Sequence, residues 1–140
     1  MKPSDWLAVL SVDDGLRLQP GATADAIKES ESALDATLPL ALRNLYQATD
    51  GVWNEPGQWF VIWPLADVVE RNRLAWDAEP SARVGWIGFG DDGTGNPFCF
   101  RRGNGDHVYY WSSVDHAATQ LASDPAAFWQ AWVTDSLPTH

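Results

Sequence analysis

Cysteine occurs once in these 140 residues, at Cys99. One thiol excludes an intrachain disulfide, denies a thiolate zinc site its second sulfur, and makes a reducing compartment the natural setting. Histidine is scarce too: His116 and His140 have no partner at helical i,i+4 spacing, and no metal-ligand spacing is present. No metal or cofactor is expected. Lys and Arg number nine against nineteen Asp and Glu, a formal charge of −10, and no segment concentrates them. Nucleic-acid binding draws its affinity from neutralising phosphates, so this balance argues against it. Long apolar runs are missing as well. The opening "MKPSDWLAVLSVDDG" has one lysine, and Ser11 and Asp13 break its apolar stretch, which suits neither a signal peptide nor a membrane span. The expectation is a soluble cytoplasmic protein. There is no internal repeat and no low-complexity tract, and the length fits a single domain over residues 1–140.

What the chain does have is apolar material. Hydrophobic residues make up 45% and tryptophan occurs nine times, enough to offset the ordering entropy of one core. A short amphipathic helix carrying Trp6, Leu7 and Leu10 begins near Ser4, and a loop follows through Pro20 and Gly21. From Thr23, Ile27, Leu34 and Leu38 recur at helical spacing. Leu38-Pro39 interrupts that helix and opens another with the stripe Leu42, Leu45 and Tyr46, closed at Asp50-Gly51. The two are expected to pack as a hairpin. After the exposed-looking turn "VWNEPGQ", Trp59 to Trp63 reads as a strand ended by Pro64, and Leu65, Val68, Asn72 and Trp76 mark a further helix. Val84 to Phe89, Pro97 to Arg101 and His107 to Trp111 read as three strands joined by short turn-rich links, hence an antiparallel meander. Asp124-Pro125 caps a closing helix that buries Phe128, Trp129, Trp132 and Val133. The fold class is α+β, with helices packed on an antiparallel sheet.

The stretch "GFGDDGTGNPFCF" contains the literal pattern G-x-G-x-x-G at Gly88, Gly90 and Gly93. A dinucleotide site needs a helix after the glycines, whereas Pro97 to Phe100 reads as strand, and Asp91 and Asp92 would repel a pyrophosphate. A calcium loop fails too. Thr94 and Asn96 offer alternate oxygens after Asp92, but Pro97 takes the place of the obligatory glycine and no glutamate closes the loop. Cys99 falls opposite Tyr109 or Tyr110 with His107 displaced toward Arg101, so a Cys-His dyad is not expected. Carboxylates are plentiful enough to offer some catalytic pair, but no His, Cys or Lys converges on them, and the chain is not expected to be an enzyme. Trp53, in a polar loop beside Asn54 and Glu55, is open to two readings: an exposed anchor for a partner or a plug under its own loop.

Three stretches together resemble the SUKH superfamily, the Smi/Knr group of bacterial immunity proteins and fungal cell-wall-synthesis regulators. "LDATLPLALRNLYQATDG" is similar to its N-terminal signature, "WFVIWPLADVVERNRLAW" to its first strand, Pro-Leu and following helix, and "WIGFGDDGTGNPFCF", "VYYW" and "AAFWQAW" to its central hairpin, next strand and closing helix. The resemblance runs from about Leu34 to Trp132; the first twenty residues and Ser112 to Ser123 match nothing distinctive. It implies a binding protein that holds a cognate toxin, often a nuclease, inactive by occlusion, or alternatively a scaffold that binds a housekeeping protein. A basic toxin would complement the charge of −10. The residues expected to meet it lie on acidic loops: Asp50, Trp53 and Glu55, then Asp91 and Asp92, then Asp106. Asp91 has a competing duty in bonding the backbone of Gly93, and Asp50 in capping a turn.

Overall fold

A computed structural model describes residues 2–103 and 105–134. The elements run α1 (Pro3–Leu10), β1 (Leu16–Leu18), α2 (Ala24–Leu34), α3 (Leu40–Ala48), β2 (Val52–Asn54), β3 (Trp59–Ile62), α4 (Leu65–Ala78), α5 (Pro80–Arg83), β4 (Trp86–Asp91), β5 (Pro97–Arg101), β6 (Val108–Ser112), β7 (Ala117–Ala122) and α6 (Pro125–Val133). The strands form one seven-stranded sheet in chain order β1 to β7, every neighbouring pair antiparallel. This is the α+β class with an antiparallel meander as expected, with seven strands in place of the four read from the sequence.

Local chemistry sets the helix ends. Thr23 Oγ1 accepts from Ala26 N at 3.1 Å to open α2, and Asp35, at φ 52°, closes it while Ala36 N reaches back to Glu31 O. Asp124 accepts from Ala127 N at 2.8 Å, with Pro125 in the first turn of α6. Phe128 on α6 lies 4.6 Å from the Phe98 ring and 5.9 Å from Phe89, so this helix covers the sheet face that carries both. Direct cross-strand partners share a face, which sets Gly88, Cys99 and Tyr109 together on the other side. Trp86, two residues from Gly88, joins them, its ring 4.9 Å from Tyr109. The buried cluster runs on through Trp6, Leu42, Tyr46, Val61 and Trp63, and Tyr46 donates to Trp63 O at 2.7 Å.

Several expectations change. The helices α2 and α3 do not form a close hairpin; α3 packs mainly on α1, where Trp6 Nε1 donates to Ala41 O at 3.0 Å, and α2 mainly on α4. The helix α3 stops at Ala48, with Thr49 extended. "VWN" is strand β2 rather than turn, Leu16–Leu18 is a strand rather than loop, and Ala117–Ala122 supplies a last strand. Residues from Pro80 to Arg83 form a short helix, so β4 begins at Trp86 and not at Val84. Val133 is 47% exposed, not buried.

Between β3 and β4 the ladder is short, with Ile62 and Gly90 as its register pair. Where β3 departs, Asn72 of α4 takes over: its Nδ2 donates to Gly88 O and its Oδ1 accepts from Gly88 N, both at 2.8 Å. One side-chain amide thus satisfies the backbone groups that a longer strand would have paired. The same Oδ1 receives Arg83, whose guanidinium is also bonded to Trp86 O and lies over Trp111. Burial lowers the Arg83 pKa from its ordinary value.

A candidate protein-binding rim

In a meander, alternate links fall at the same end of the sheet. One end therefore collects the β2–β3 turn (55–58), the β4–β5 turn (92–96), the β6–β7 turn (113–116) and the entry to β1 (13–15). These segments carry Asp13, Asp14, Glu55, Asp92 and Asp115 and no Lys or Arg. The nearest cation on the first strand, Arg17, turns its guanidinium onto Asp14 O and Leu16 O at 2.7 and 3.1 Å.

The rim is held by hydrogen bonds between adjacent turns. Asp13 Oδ1 accepts from Gly15 N at 2.8 Å, and Glu55 N donates to Gly15 O at 2.8 Å, tying the first turn to the β1 entry. Glu55 Oε2 takes the indole N–H of Trp53 at 2.8 Å, and Trp53 packs edge-on against Phe60 with centroids 4.9 Å apart. The indole is half-buried on β2, where Trp53 pairs with Arg17 and Phe60, and its N–H orients Glu55. Trp59 Nε1 donates to Asp91 O at 3.1 Å, joining the β2–β3 and β4–β5 turns. Asn96 joins the next pair: Nδ2 donates to the Tyr110 hydroxyl at 3.2 Å, and Oδ1 accepts from Ser113 N and Oγ at 3.1 and 2.8 Å.

The glycine pattern has structural causes. A Cβ on Gly90 would sit 2.1 Å from Val61 O, so β3 and β4 can approach only across a glycine. Gly93 turns the chain at φ 96°.

The structure separates the six expected residues. Glu55 is exposed and Asp92 half-exposed at the rim, where Asp92 Oδ1 accepts from Thr94 N at 3.0 Å and from Thr94 Oγ1 at 2.5 Å. Asp91 belongs to the same end but is only 6% exposed, contrary to the expectation of a carboxylate on an acidic loop. Its carboxylate accepts from Gly93 N at 3.3 Å and lies 3.9 Å from Arg71 Nη1. Desolvation raises its pKa from the ordinary value, against the lowering effects of Gly93 N–H and Arg71. Asp50 and Asp106 lie at the opposite end. Asp50 Oδ1 caps α4 by accepting from Leu65 N at 2.8 Å. Asp106 borders a shallow cavity of about 380 Å³ with Leu40, Arg43 and Arg101. Asp13, Asp14, Asp115 and the Asn96 network escape a reading of the sequence, because their common end is visible only once β1 and β7 are recognised.

Cys99 is fully buried opposite Tyr109, and burial pushes its thiol up to about 12. Such a thiol stays protonated and unreactive. The exposed His116 pairs instead with Glu79 at 2.9 Å. Among the described residues no group of three His, Cys, Asp or Glu side chains is placed to hold a metal ion, and no helix is long and apolar enough to cross a membrane.

The meander and its helices are those of a SUKH-type domain. The model of the SMI1/KNR4 family (SUKH-1) matches residues 21–130, most of the chain, and the protein belongs to that family. No curated protein matches the chain individually.

Proposed function

We propose that this chain is an immunity protein that binds a basic bacterial toxin, a nuclease being the best chemical match, and covers its substrate surface with the acidic rim. The observation that carries the reading is the convergence of Asp13, Asp14, Glu55, Asp92 and Asp115 on loops that contain no Lys or Arg. Hydrogen bonds within and between adjacent turns hold the loops beforehand, so little loop ordering remains to be lost on association. Carboxylates in such a row can occupy the positions of substrate phosphates on a cationic surface. A net charge of −10 speeds encounter with that surface. Inhibition by occlusion requires no turnover, in keeping with a buried thiol and a family of binding modules. Asp91 supports the rim from beneath; Asp50 and Asp106, at the far end, stand outside this contact.

The test is to express the neighbouring reading frame alone and together with this chain. Toxicity relieved by co-expression, with a stable complex recovered, is the expected result. A harmless neighbour would instead favour a scaffold or regulatory module, and toxicity that persists would contradict the immunity reading.

A further inference from the structure

The two edges of the sheet are unlike. At one edge β1 has three residues, and Arg17 lays its guanidinium against the carbonyls of Leu16 and of Asp14 just before the strand, a short and charged edge of the kind that discourages pairing. At the other edge β7 runs for six residues, "AATQLA", about 20 Å of strand at roughly 3.3 Å per residue. It has no charged residue and no proline. Among the described residues its backbone pairs with β6 alone, and no side chain bonds to it from outside. Thr119 and Gln120 are exposed. Such an edge is a template for one more strand.

Its surroundings indicate the occupant. From Gly103 to His140 there is no Lys or Arg. Asp115 stands before the start of β7, and Asp106 and Asp124 border one shallow cavity near its end, beside the Val108 and Ala122 pair. A second copy would bring the same carboxylates and another charge of −10 to this edge. A strand with cationic flanks would meet opposite charge at both ends.

We infer that β7 takes up an extended segment of a basic partner protein as an eighth, main-chain-bonded strand. The inference rests on the proposed function only for the partner's basic character. It adds an edge contact running from the rim to the Asp106 end.

The probe is a short synthetic peptide alternating valine with lysine and threonine, titrated against the full chain by calorimetry and amide hydrogen exchange. Binding is expected to protect alternate amides of Ala117–Ala122, and N-methylating the peptide along one edge, which preserves its charge, should weaken binding at least about tenfold. Of Thr119→Pro and Gln120→Pro, the one that keeps the native circular dichroism should abolish binding; if neither folds, the comparison of the two peptides on the unaltered chain decides. Equal binding of both peptides, or protection confined to the rim, would overturn the inference. So would a dimer whose dissociation unmasks the β7 amides, or binding gained only by a variant ending at Thr134. No toxin enters this experiment, so its failure leaves the immunity reading standing, and failure of rescue by co-expression leaves the edge reading standing.

Discussion

Asn72 stands in for a length of strand, and this single side chain decides how α4 meets the sheet. Its amide bonds Gly88 on both sides, donates to Val68 O at 2.6 Å, and receives the Arg83 guanidinium at 3.3 Å. All of these groups are buried, so removing the amide leaves several of them without a partner. Asn72→Ala should therefore cost about 2–4 kcal/mol, more than one exposed hydrogen bond is worth. Chemical denaturation measures it; a loss below about 1 kcal/mol would mean that water replaces the amide. Asp91 yields a second prediction. Its folded pKa lies above the unfolded one, chiefly through desolvation, so the native state binds more protons across the interval between the two values. Stability from this group is fully present below the ordinary aspartate pKa and is lost as pH rises through the folded value. Asp91→Asn lacks that slope. The stability of the unaltered chain relative to the Asn variant should fall between pH 3 and pH 7, as thermal or denaturant unfolding would show; a difference that rises with pH contradicts the assignment.

At the scale of elements, what could be read in the sequence depended on how much each segment declares by itself. Helices α2, α3, α4 and α6 carry apolar stripes and local start signals at Thr23, Pro39, Pro64 and Asp124, and all four were legible. Strands β3, β5 and β6 were legible from aromatic and β-branched runs bounded by turns. Leu16–Leu18 is too short for alternation to show, and Ala117–Ala122 is small and polar, an edge strand with one buried residue, Leu121. Neither advertises itself without its partner strand. "VWN" was hidden by the turn residues that follow it, yet Val52 is fully buried. The hairpin expected of α2 and α3 failed for a tertiary reason: Trp6 of α1 reaches Ala41 and takes the face of α3 that α2 would have occupied. These misses bear directly on the rim. Acidic loops could be found by composition, but their grouping follows from the order of the strands, and two missing strands concealed Asp13, Asp14 and Asp115.

For the molecule as a whole, charge and topology act together. A charge of −10 spread evenly would serve solubility alone. The meander instead gathers five carboxylates at one end, and the few cations nearby are engaged: Arg17 with its own backbone, Arg71 with Asp91 and the Trp63 ring, Arg83 with Asn72. The rim is thus a concentrated anionic surface at one end of the sheet. Two of its turn carboxylates can be reversed without disturbing the core, because Glu55 is exposed and Asp92, half-exposed, bonds only within its own turn. The most direct measurement is the affinity and association rate of the proposed toxin for the unaltered chain, for the double variant Glu55→Lys, Asp92→Lys, and for Glu29→Lys on the exposed side of α2 as a charge control. An anionic rim that covers a cationic toxin surface predicts at least about tenfold weaker binding for the double variant, mostly through slower association and with a shallower dependence on salt, and little change for the control. Undiminished affinity of the double variant, with its fold intact, would contradict the account.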